Sequence, residues 1–217
     1  KKGLILEAGC GAGRILNYYD KLGYKIVGID FISEVIKKIN KVYPHIKAEE
    51  GDIRNLRFND NYFQYVLAFG LYHNLNISDL DRSLKETFRV MKNRGKVVAS
   101  FRADNLQTLL TDFIANFKSN NVKNKNKVFH KLNLKKKEFC EIFEKHGFKV
   151  EEILQVENMP FLYKFKFFRQ QSHKKFNENK ARIEGYRLSL LGNLIQSLLI
   201  NFFPDQFCNV YVIIAKK

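Results

Sequence analysis

Three glycines at alternate positions follow directly on a short apolar run near the start of this chain. The run Leu4–Leu6 predicts a buried strand, and Gly9, Gly11 and Gly13 then remove side chains where a ligand must approach the backbone. The helix expected to begin near Arg14 presents free amide groups and the positive end of its dipole to that turn. The stretch therefore predicts a site for an anionic or carboxylate-bearing ligand, and a nucleotide-like cofactor is expected.

The spacing of these glycines distinguishes between two kinds of nucleotide cofactor. A dinucleotide fingerprint would need glycine at the position of Arg14. With Glu7 two positions before the first glycine, the pattern Glu-x-Gly-x-Gly-x-Gly instead resembles the first motif of class I S-adenosylmethionine-dependent methyltransferases. The resemblance implies a site for S-adenosyl-L-methionine, with S-adenosyl-L-homocysteine as the product. The residues that it assigns to this part of the site are Glu7, Ala8, Gly9, Cys10, Gly11 and Gly13.

Acids end the next two predicted strands as well. The strand Lys25–Asp30 ends in a carboxylate, which can accept both ribose hydroxyls of an adenosine. The predicted strand Ile46–Ile53 ends in Gly-Asp-Ile, similar to the family motif in which the acid meets the adenine amino group and the apolar residue covers the ring. On this resemblance, the cofactor contacts expected from these strands and the next one are Asp30, Phe31, Gly51, Asp52, Ile53 and Phe69.

The fourth predicted strand, Tyr65–Phe69, leads into a segment similar to one that small-molecule members of the family carry beside the transferable methyl group. In it, His73 is the candidate general base or acceptor-orienting group, and the alternative is a histidine merely hydrogen-bonded at a strand end. Tyr72 either lines the methyl pocket or belongs to the core. Gln64 stands where the family commonly has an acid, which weakens the assignment of a fixed catalytic role there.

The remaining pattern completes an α/β fold. We expect a Rossmann-like, doubly wound sheet of seven strands, mostly parallel with an antiparallel last strand, and helices on both faces. The prediction is one domain over residues 1–217, with acceptor-side insertions at about 104–133 and 157–208. The further predicted elements are helices at 78–93 and 134–146 and strands at 95–102, 149–156 and 209–217.

The number and spacing of the cysteines indicate whether disulfides or a metal site are expected and which cellular compartment suits the chain. The three cysteines are widely separated and form no Cys-x-x-Cys pair, so neither a disulfide framework nor a metal site is expected. Because the chain enters its first core strand almost at once, no secretory signal is expected, and a reducing cytoplasm is the predicted location. Within the glycine turn, Cys10 is expected to be a small filler beside the cofactor, the alternative being a reactive thiol.

The charge balance bears on partners. The net charge is +16, of which +6 falls in residues 1–100 and +10 in residues 101–217. A basic surface suits RNA, anionic small molecules or membrane surfaces. In the second insertion, Phe161–Arg169 interleaves aromatic with basic residues, and Leu191–Phe202 has helical apolar spacing that falls short of the roughly 20 apolar residues of a membrane span. The first segment is expected to pack as a cap, and the alternatives are stacking on bases or contact with anionic lipid headgroups. The second is expected to form a helix that lies against the sheet or on a membrane surface, and the polar run 118–127 is expected to be a loop.

Three hypotheses follow. The leading one is an enzyme that methylates a small molecule, with a lipid-linked or glycan-pathway intermediate as one candidate. The second is an RNA methyltransferase, for which binding should fall steeply with salt. The third is a non-catalytic cofactor-binding or membrane-associated protein, motivated by Gln64 and by the short stretch ahead of the first strand. The sequence predicts no transmembrane segment and does not define an oligomeric state.

Overall fold

A central sheet with flanking helices dominates the computed structural model, which describes residues 3–120 and 132–217. The strands are β1 (Leu4–Ala8), β2 (Lys25–Asp30), β3 (Lys47–Glu50), β4 (Phe63–Ala68), β5 (Met91–Arg102), β6 (Lys149–Val156) and β7 (Val210–Lys216). The helices are α1 (Arg14–Lys21), α2 (Ser33–Val42), α3 (Ile77–Val90), α4 (Leu106–Asn120), α5 (Lys136–Lys145), α6 (Glu178–Glu184), α7 (Leu190–Phe202) and α8 (Pro204–Phe207). Short 3₁₀ turns lie at Tyr72–Asn74, Phe161–Lys164, Lys166–Phe168 and Gln171–His173.

The seven strands form one sheet in the order β3-β2-β1-β4-β5-β7-β6. The pairs from β3 to β5 are parallel, and β7 supplies the antiparallel pairing. The predicted fold class is confirmed. Because the chain moves outward from β1 to β3 on one side and then returns to β4 on the other, the strand order reverses at β1. In open α/β sheets, ligands bind at the carboxyl ends of the strands beside such a reversal.

Contacts divide the chain into two compact units. The first unit comprises Lys1–Arg102, Phe129–Leu154 and Val212–Lys217, and the second comprises Ala103–Val128 and Gln155–Tyr211, apart from residues that are not described. The two stretches of the second unit contain most of the two predicted insertions.

The core of the first unit is built mainly from isoleucine and leucine side chains on the parallel strands and on helices α1 and α2. Gly28 on β2 allows α1 to pack closely, since a Cβ at this position would lie 2.5 Å from Leu16 Cδ1 and 3.1 Å from Cys10 Sγ. This close approach brings the start of α1 down onto the sheet. The buried members of this cluster are Ile5, Cys10, Leu16, Ile26, Ile36, Ile39, Ile46, Ala48 and Leu67.

The predicted helix end before β5 is wrong by three residues, and the predicted start of β5 is wrong by four. We expected a helix to residue 93 and a strand from residue 95, whereas α3 ends at Val90 and β5 begins at Met91. Met91 pairs with Phe63 of β4, and the Tyr62 amide donates to the Val90 carbonyl at 2.8 Å. The pairing of Met91 with β4 therefore ends α3 before the helix reaches its predicted length. Arg94, at φ 64°, accommodates the irregularity within the strand.

The second unit has its own apolar cluster. Phe161, Leu162 and Tyr163, from the predicted cap, are buried, whereas Phe165 and Phe167 of the same segment are exposed. The helix α4 begins inside the predicted insertion at 104–133, and most of the predicted loop 118–127 lies outside the described residues. The cluster also includes Ala181, Leu188 and Phe207.

One face of α7 is apolar and exposed. Leu190 is 91 % exposed and Phe202 is 70 % exposed, while Gly192 and Gln196 lie on the buried face. The predicted helical spacing is confirmed. In the part of the chain that the structure describes, no helix combines the length and apolarity that a membrane crossing requires.

Candidate functional site

The glycine turn after β1 is fixed to the neighbouring strand by its own backbone. The amides of Gly9 and Cys10 both donate to the Ile29 carbonyl at 2.9 Å, and the Gly13 amide donates to the Cys10 carbonyl at 2.9 Å. Gly9, Gly11 and Gly13 have φ values of 71°, 48° and 72°, in the left-handed region that glycine adopts without strain. A residue with a side chain would be strained at these backbone angles, so the turn requires glycine at all three positions.

Space is open above the middle of this turn. A Cβ at Gly11 would meet no atom within 4 Å, whereas one at Gly9 would lie 3.1 Å from Leu71 Cδ1. The Gly11 backbone thus faces an unfilled volume beside the start of α1, whose first amides are available to an anion or carboxylate.

Asp30, at the carboxyl end of β2, ties two backbone segments together. Its Oδ2 accepts a hydrogen bond from the Gly11 amide at 2.9 Å, and its Oδ1 accepts one from the Ile32 amide at 3.0 Å. Its backbone carbonyl accepts from the Gly51 amide at 3.0 Å. Because a carboxylate offers about four lone-pair sites, each oxygen keeps capacity for another donor. Asp30 can therefore hold the turn and still accept two hydroxyl groups.

Glu7, at the end of β1, is a buried carboxyl with spare capacity. Its side chain is 4 % exposed, and its Oε2 has no hydrogen-bond partner among the described residues. Burial raises the pKa of Glu7 from about 4.5 to about 8, against the opposing effects of a Leu16 backbone hydrogen bond and the Arg14 charge; the charge of Asp30 raises it further. A buried carboxylate oxygen is stabilised when a donor forms a hydrogen bond to it, and a cationic amino group forms the strongest bond of this kind.

Asp52 is engaged by a neighbour that the sequence analysis did not consider. Arg54 donates from its backbone amide and Nε to Oδ1 at 2.9 Å, and from Nη2 to Oδ2 at 2.7 Å. Arg54 Nη1 also reaches Asp79 Oδ2 at 3.1 Å. The Arg54 hydrogen bonds lower the pKa of Asp52. Most of the acceptor capacity of Asp52 is thus taken up inside the protein, and its contact with the adenine amino group stays a prediction.

The apolar residues expected near the cofactor differ in exposure. Phe31 is 70 % exposed at the end of β2, and Phe69 and Ile32 are also exposed. Ile53 is buried at 6 % exposure and Ala8 is fully buried. Phe31 therefore offers more surface to a flat ring than Ile53 does.

Tyr72 belongs to the core. Its side chain is fully buried, and its hydroxyl lies 2.9 Å from Thr87 Oγ1. Burial raises the pKa of Tyr72 to about 12. Of the two expected roles, the structure supports the packing role, because the phenol faces α3.

His73 follows β4 at the same edge of the sheet as the glycine turn. Its ring lies 6.2 Å from the Phe101 ring, edge to face, and its backbone carbonyl accepts from the Leu132 amide at 2.9 Å. The neighbouring Gly70 amide donates to Ser100 Oγ at 2.9 Å, which holds the loop after β4 against β5. The backbone of this loop is therefore fixed at the ligand edge, and the imidazole packs against Phe101.

Two smaller expectations are also resolved. Burial raises the pKa of the Cys10 thiol to about 12, so the reactive thiolate is disfavoured near neutral pH. This favours a small packing side chain over a reactive thiol at this position. Gln64 lies near the start of β4, at the opposite end of that strand from His73, so it does not contribute to this edge. Over residues 3–120 and 132–217, no cluster of three or more His, Cys, Asp or Glu could hold a metal ion.

Known proteins share this arrangement. A family model described as "Methyltransferase domain" matches residues 5–95. An uncharacterized methyltransferase of Schizosaccharomyces pombe is 33 % identical over 79 residues, 35 % of this chain and 54 % of that protein. A demethylmenaquinone methyltransferase of Staphylococcus saprophyticus is 40 % identical over 78 residues, 34 % of this chain and 32 % of that protein.

A solved structure extends the likeness to the whole fold. A SAM-dependent methyltransferase of Methanosarcina mazei superposes with a TM-score of 0.68 at 16 % identity, over 100 % of this chain and 92 % of that one. Residues 5–95 therefore resemble a methyltransferase domain, and the chain as a whole has the fold of the class I S-adenosylmethionine-dependent methyltransferases. The chain spans 32 to 54 % of the length of the two sequence relatives named above, and the family model covers it from β1 into β5.

The residues at this edge of the sheet fit S-adenosylmethionine, the cofactor that the methyltransferase family implies. The side-chain-free turn leaves open space at Gly11, the spare acceptor capacity of Asp30 suits ribose hydroxyls, and the unpartnered Oε2 of Glu7 suits an ammonium group. The sequence signal that would have revealed Arg54 is a basic residue two positions after a strand-end acid, with Asp79 in the first turn of the next helix.

Proposed function

We propose that this protein transfers a methyl group from S-adenosylmethionine to a small-molecule acceptor. The single observation that carries the proposal is the edge formed by the glycine turn, Glu7 and Asp30, with open space above Gly11. When bound, S-adenosylmethionine supplies a methyl group on a positively charged sulfur. The chain's own residues then contribute mainly alignment, an effect worth roughly 7 to 11 kcal/mol when geometry is well defined.

In this proposal each polar group has one task. Asp30 accepts the ribose hydroxyls while it holds the Gly11 amide, and Glu7 accepts a hydrogen bond from the amino group of the cofactor. Phe31 covers one side of the adenine. Asp52 keeps its pairing with Arg54 and fixes the loop after β3. Because Glu7 would bind a cation as the carboxylate, cofactor binding lowers its pKa and releases a proton below about pH 8.

His73 is the proposed general base or acceptor-orienting residue. Its position after β4, beside Phe101, supports this role. A base is needed only when the acceptor carries the proton that must leave, as a phenol or hydroxyl does. In that case the imidazole would take this proton from the acceptor oxygen, and the cofactor would supply the methyl group, whose carbon–sulfur bond would break as the carbon–oxygen bond forms.

A small acceptor is favoured over RNA by the relatives. One of them is named a demethylmenaquinone methyltransferase, a name that specifies a small ring compound. The net charge of +16 supports RNA as the second candidate. Catalytic function is favoured over cofactor binding alone because Gln64 lies away from the site. A cytoplasmic location stays a prediction.

The decisive experiment supplies purified protein with methyl-labelled S-adenosylmethionine and cell extract separated into small-molecule, lipid and RNA fractions. We expect label in the small-molecule or lipid fraction, and we expect His73→Ala to lower that incorporation without changing S-adenosylhomocysteine affinity. Label in RNA alone, with activity that falls steeply as salt rises, would favour the second candidate. Cofactor binding without label in any fraction would leave only the non-catalytic hypothesis.

A further inference from the structure

The second unit contains a cavity of its own. Its volume is about 510 Å³, within the range of small-molecule sites, and its lining comes entirely from this unit. Ile114 of α4, Met159, Phe165 and Phe176 supply apolar walls. This space is open to solvent, so a ligand that enters it removes the apolar surface of these side chains from water, which favours an occupant.

One wall of the cavity is held rigidly by a buried polar chain. The hydroxyl of Tyr163 lies 2.9 Å from His173 Nδ1, and His173 Nε2 lies 3.3 Å from Glu184 Oε2. Both Tyr163 and His173 are buried. Because these three side chains satisfy one another, the Tyr163 ring presents a fixed face to the cavity.

A guanidinium lies at the same cavity between two aromatic rings. Arg169 Cζ is 5.0 Å from the Tyr163 ring centre and 5.4 Å from the Phe176 ring centre. Its N–H groups donate to the backbone carbonyls of Tyr163, Lys164 and Lys174. A guanidinium has five N–H donors, so these bonds leave two for a ligand.

The charge of Arg169 also lacks a counterion. No carboxylate of the described residues forms an ion pair with it, and Lys164 adds a second positive charge to the lining. Thr111 of α4 also lines the cavity, and its Oγ1 is buried without a hydrogen-bond partner in the described structure. A partly buried, stacked guanidinium binds carboxylate or phosphate strongly, because the planar fork loses little entropy.

We propose that this cavity binds a small amphipathic anion, with an aromatic or branched apolar body among the apolar walls and its single acidic group at Arg169. The hydroxyl of Thr111 provides a further hydrogen bond for a polar group on that body. This binding is a property of the second unit and does not depend on methyl transfer or on the cofactor.

Two fluorescent probes with the same apolar body test the proposal. 8-Anilinonaphthalene-1-sulfonate carries an acidic group, and N-phenyl-1-naphthylamine lacks it. When each probe is titrated into the protein without cofactor, the sulfonate should bind about tenfold more tightly than the neutral probe, because a hydrogen bond to a charged group contributes at least that much to affinity. Arg169→Gln should remove this preference and leave the affinity for the neutral probe within about twofold.

Matched variants locate the binding. Ala115→Phe adds bulk at the cavity lining and should weaken both probes at least about tenfold, a loss on the scale of an occluded apolar pocket. Leu198→Ser, on the exposed face of α7, removes apolar surface of the same unit and should change neither affinity by more than about twofold. Circular dichroism of each variant verifies folding. Should Arg169→Gln not fold, the wild-type preference and the Ala115 and Leu198 variants decide the matter.

The proposal is overturned if both probes bind wild-type protein equally. It is overturned too if Leu198→Ser weakens binding while Ala115→Phe does not, because the probes would then lie on the exposed helix. Equal sulfonate preference in wild type and a folded Arg169→Gln protein would likewise reject the assigned guanidinium.

Discussion

Replacing Asp30 with alanine tests the cofactor edge most directly. The substitution removes the acceptor for the Gly11 and Ile32 amides, at 2.9 and 3.0 Å, together with the proposed acceptor for the ribose hydroxyls. Hydrogen bonds to a charged group contribute about 1.5 to 3 kcal/mol each. Water replaces part of this in a half-buried site, so we expect S-adenosylhomocysteine binding to weaken by about 1 to 3 kcal/mol, or about 5- to 150-fold.

Isothermal titration calorimetry with S-adenosylhomocysteine measures this loss. Asp30→Asn keeps one oxygen acceptor and should fall between wild type and Asp30→Ala. Glu50→Ala is the matched control, because Glu50 ends the adjacent strand β3 in register with Asp30 and is exposed. It removes the same charge from the same edge without removing the two amide contacts.

The result that refutes the reasoning is an unchanged dissociation constant for Asp30→Ala. An equal loss for Glu50→Ala would refute it in another way, because the general negative charge of the edge, and not the Asp30 contacts, would then carry the effect. Thermal unfolding of each variant, followed by circular dichroism, separates lost affinity from lost fold.

Three further predictions concern the first unit. Because folded protein keeps a proton on Glu7 that the unfolded chain releases, the free energy of unfolding without cofactor should decline between about pH 4.5 and 8, by at most roughly 3 to 5 kcal/mol; Glu7→Gln should flatten this decline in urea titrations, and an unaltered slope would contradict the raised pKa. Gly28→Ala should destabilise the fold by about 1 to 3 kcal/mol because its Cβ would meet Leu16 Cδ1 at 2.5 Å, and a thermal midpoint equal to wild type would argue against this packing. Tyr72→Phe should cost about 0.5 to 1.5 kcal/mol of stability, because one buried hydrogen bond is lost while Thr87 Oγ1 still donates to the Ser83 carbonyl, and methyl incorporation should stay at the wild-type rate; a large drop in that rate would show that Tyr72 contacts the reacting atoms.

Local pattern was enough to predict much of the first unit. The strands β1, β2 and β4 are largely apolar runs with an acid or an aromatic at or next to the carboxyl end, and glycine at 9, 11 and 13 is dictated by backbone angles that other residues avoid. These signals lie within a few residues of each other. The strand order then follows from general rules for parallel sheets.

Contacts between distant residues were harder to foresee. The pairing of Met91 with Phe63 ends α3 early, and Arg54 reaches Asp79 across 25 positions. Tyr72 and His73 are adjacent in sequence, yet one points into the core and the other lies at the ligand edge. No periodicity specifies such choices, because they depend on which side chains the fold brings together.

The ion pairs of Arg54 limit which substitutions homologues can carry at this position. It fastens the loop that follows β3 to the opening turn of α3 through two acids, Asp52 and Asp79. Loss of the arginine alone would leave the Asp52 carboxylate without its partner, while Asp79 would keep its ion pair with Arg82, so changes at Arg54 and Asp52 should be inherited together. Homologues that replace Arg54 with a neutral residue should also have lost the Asp52 carboxylate.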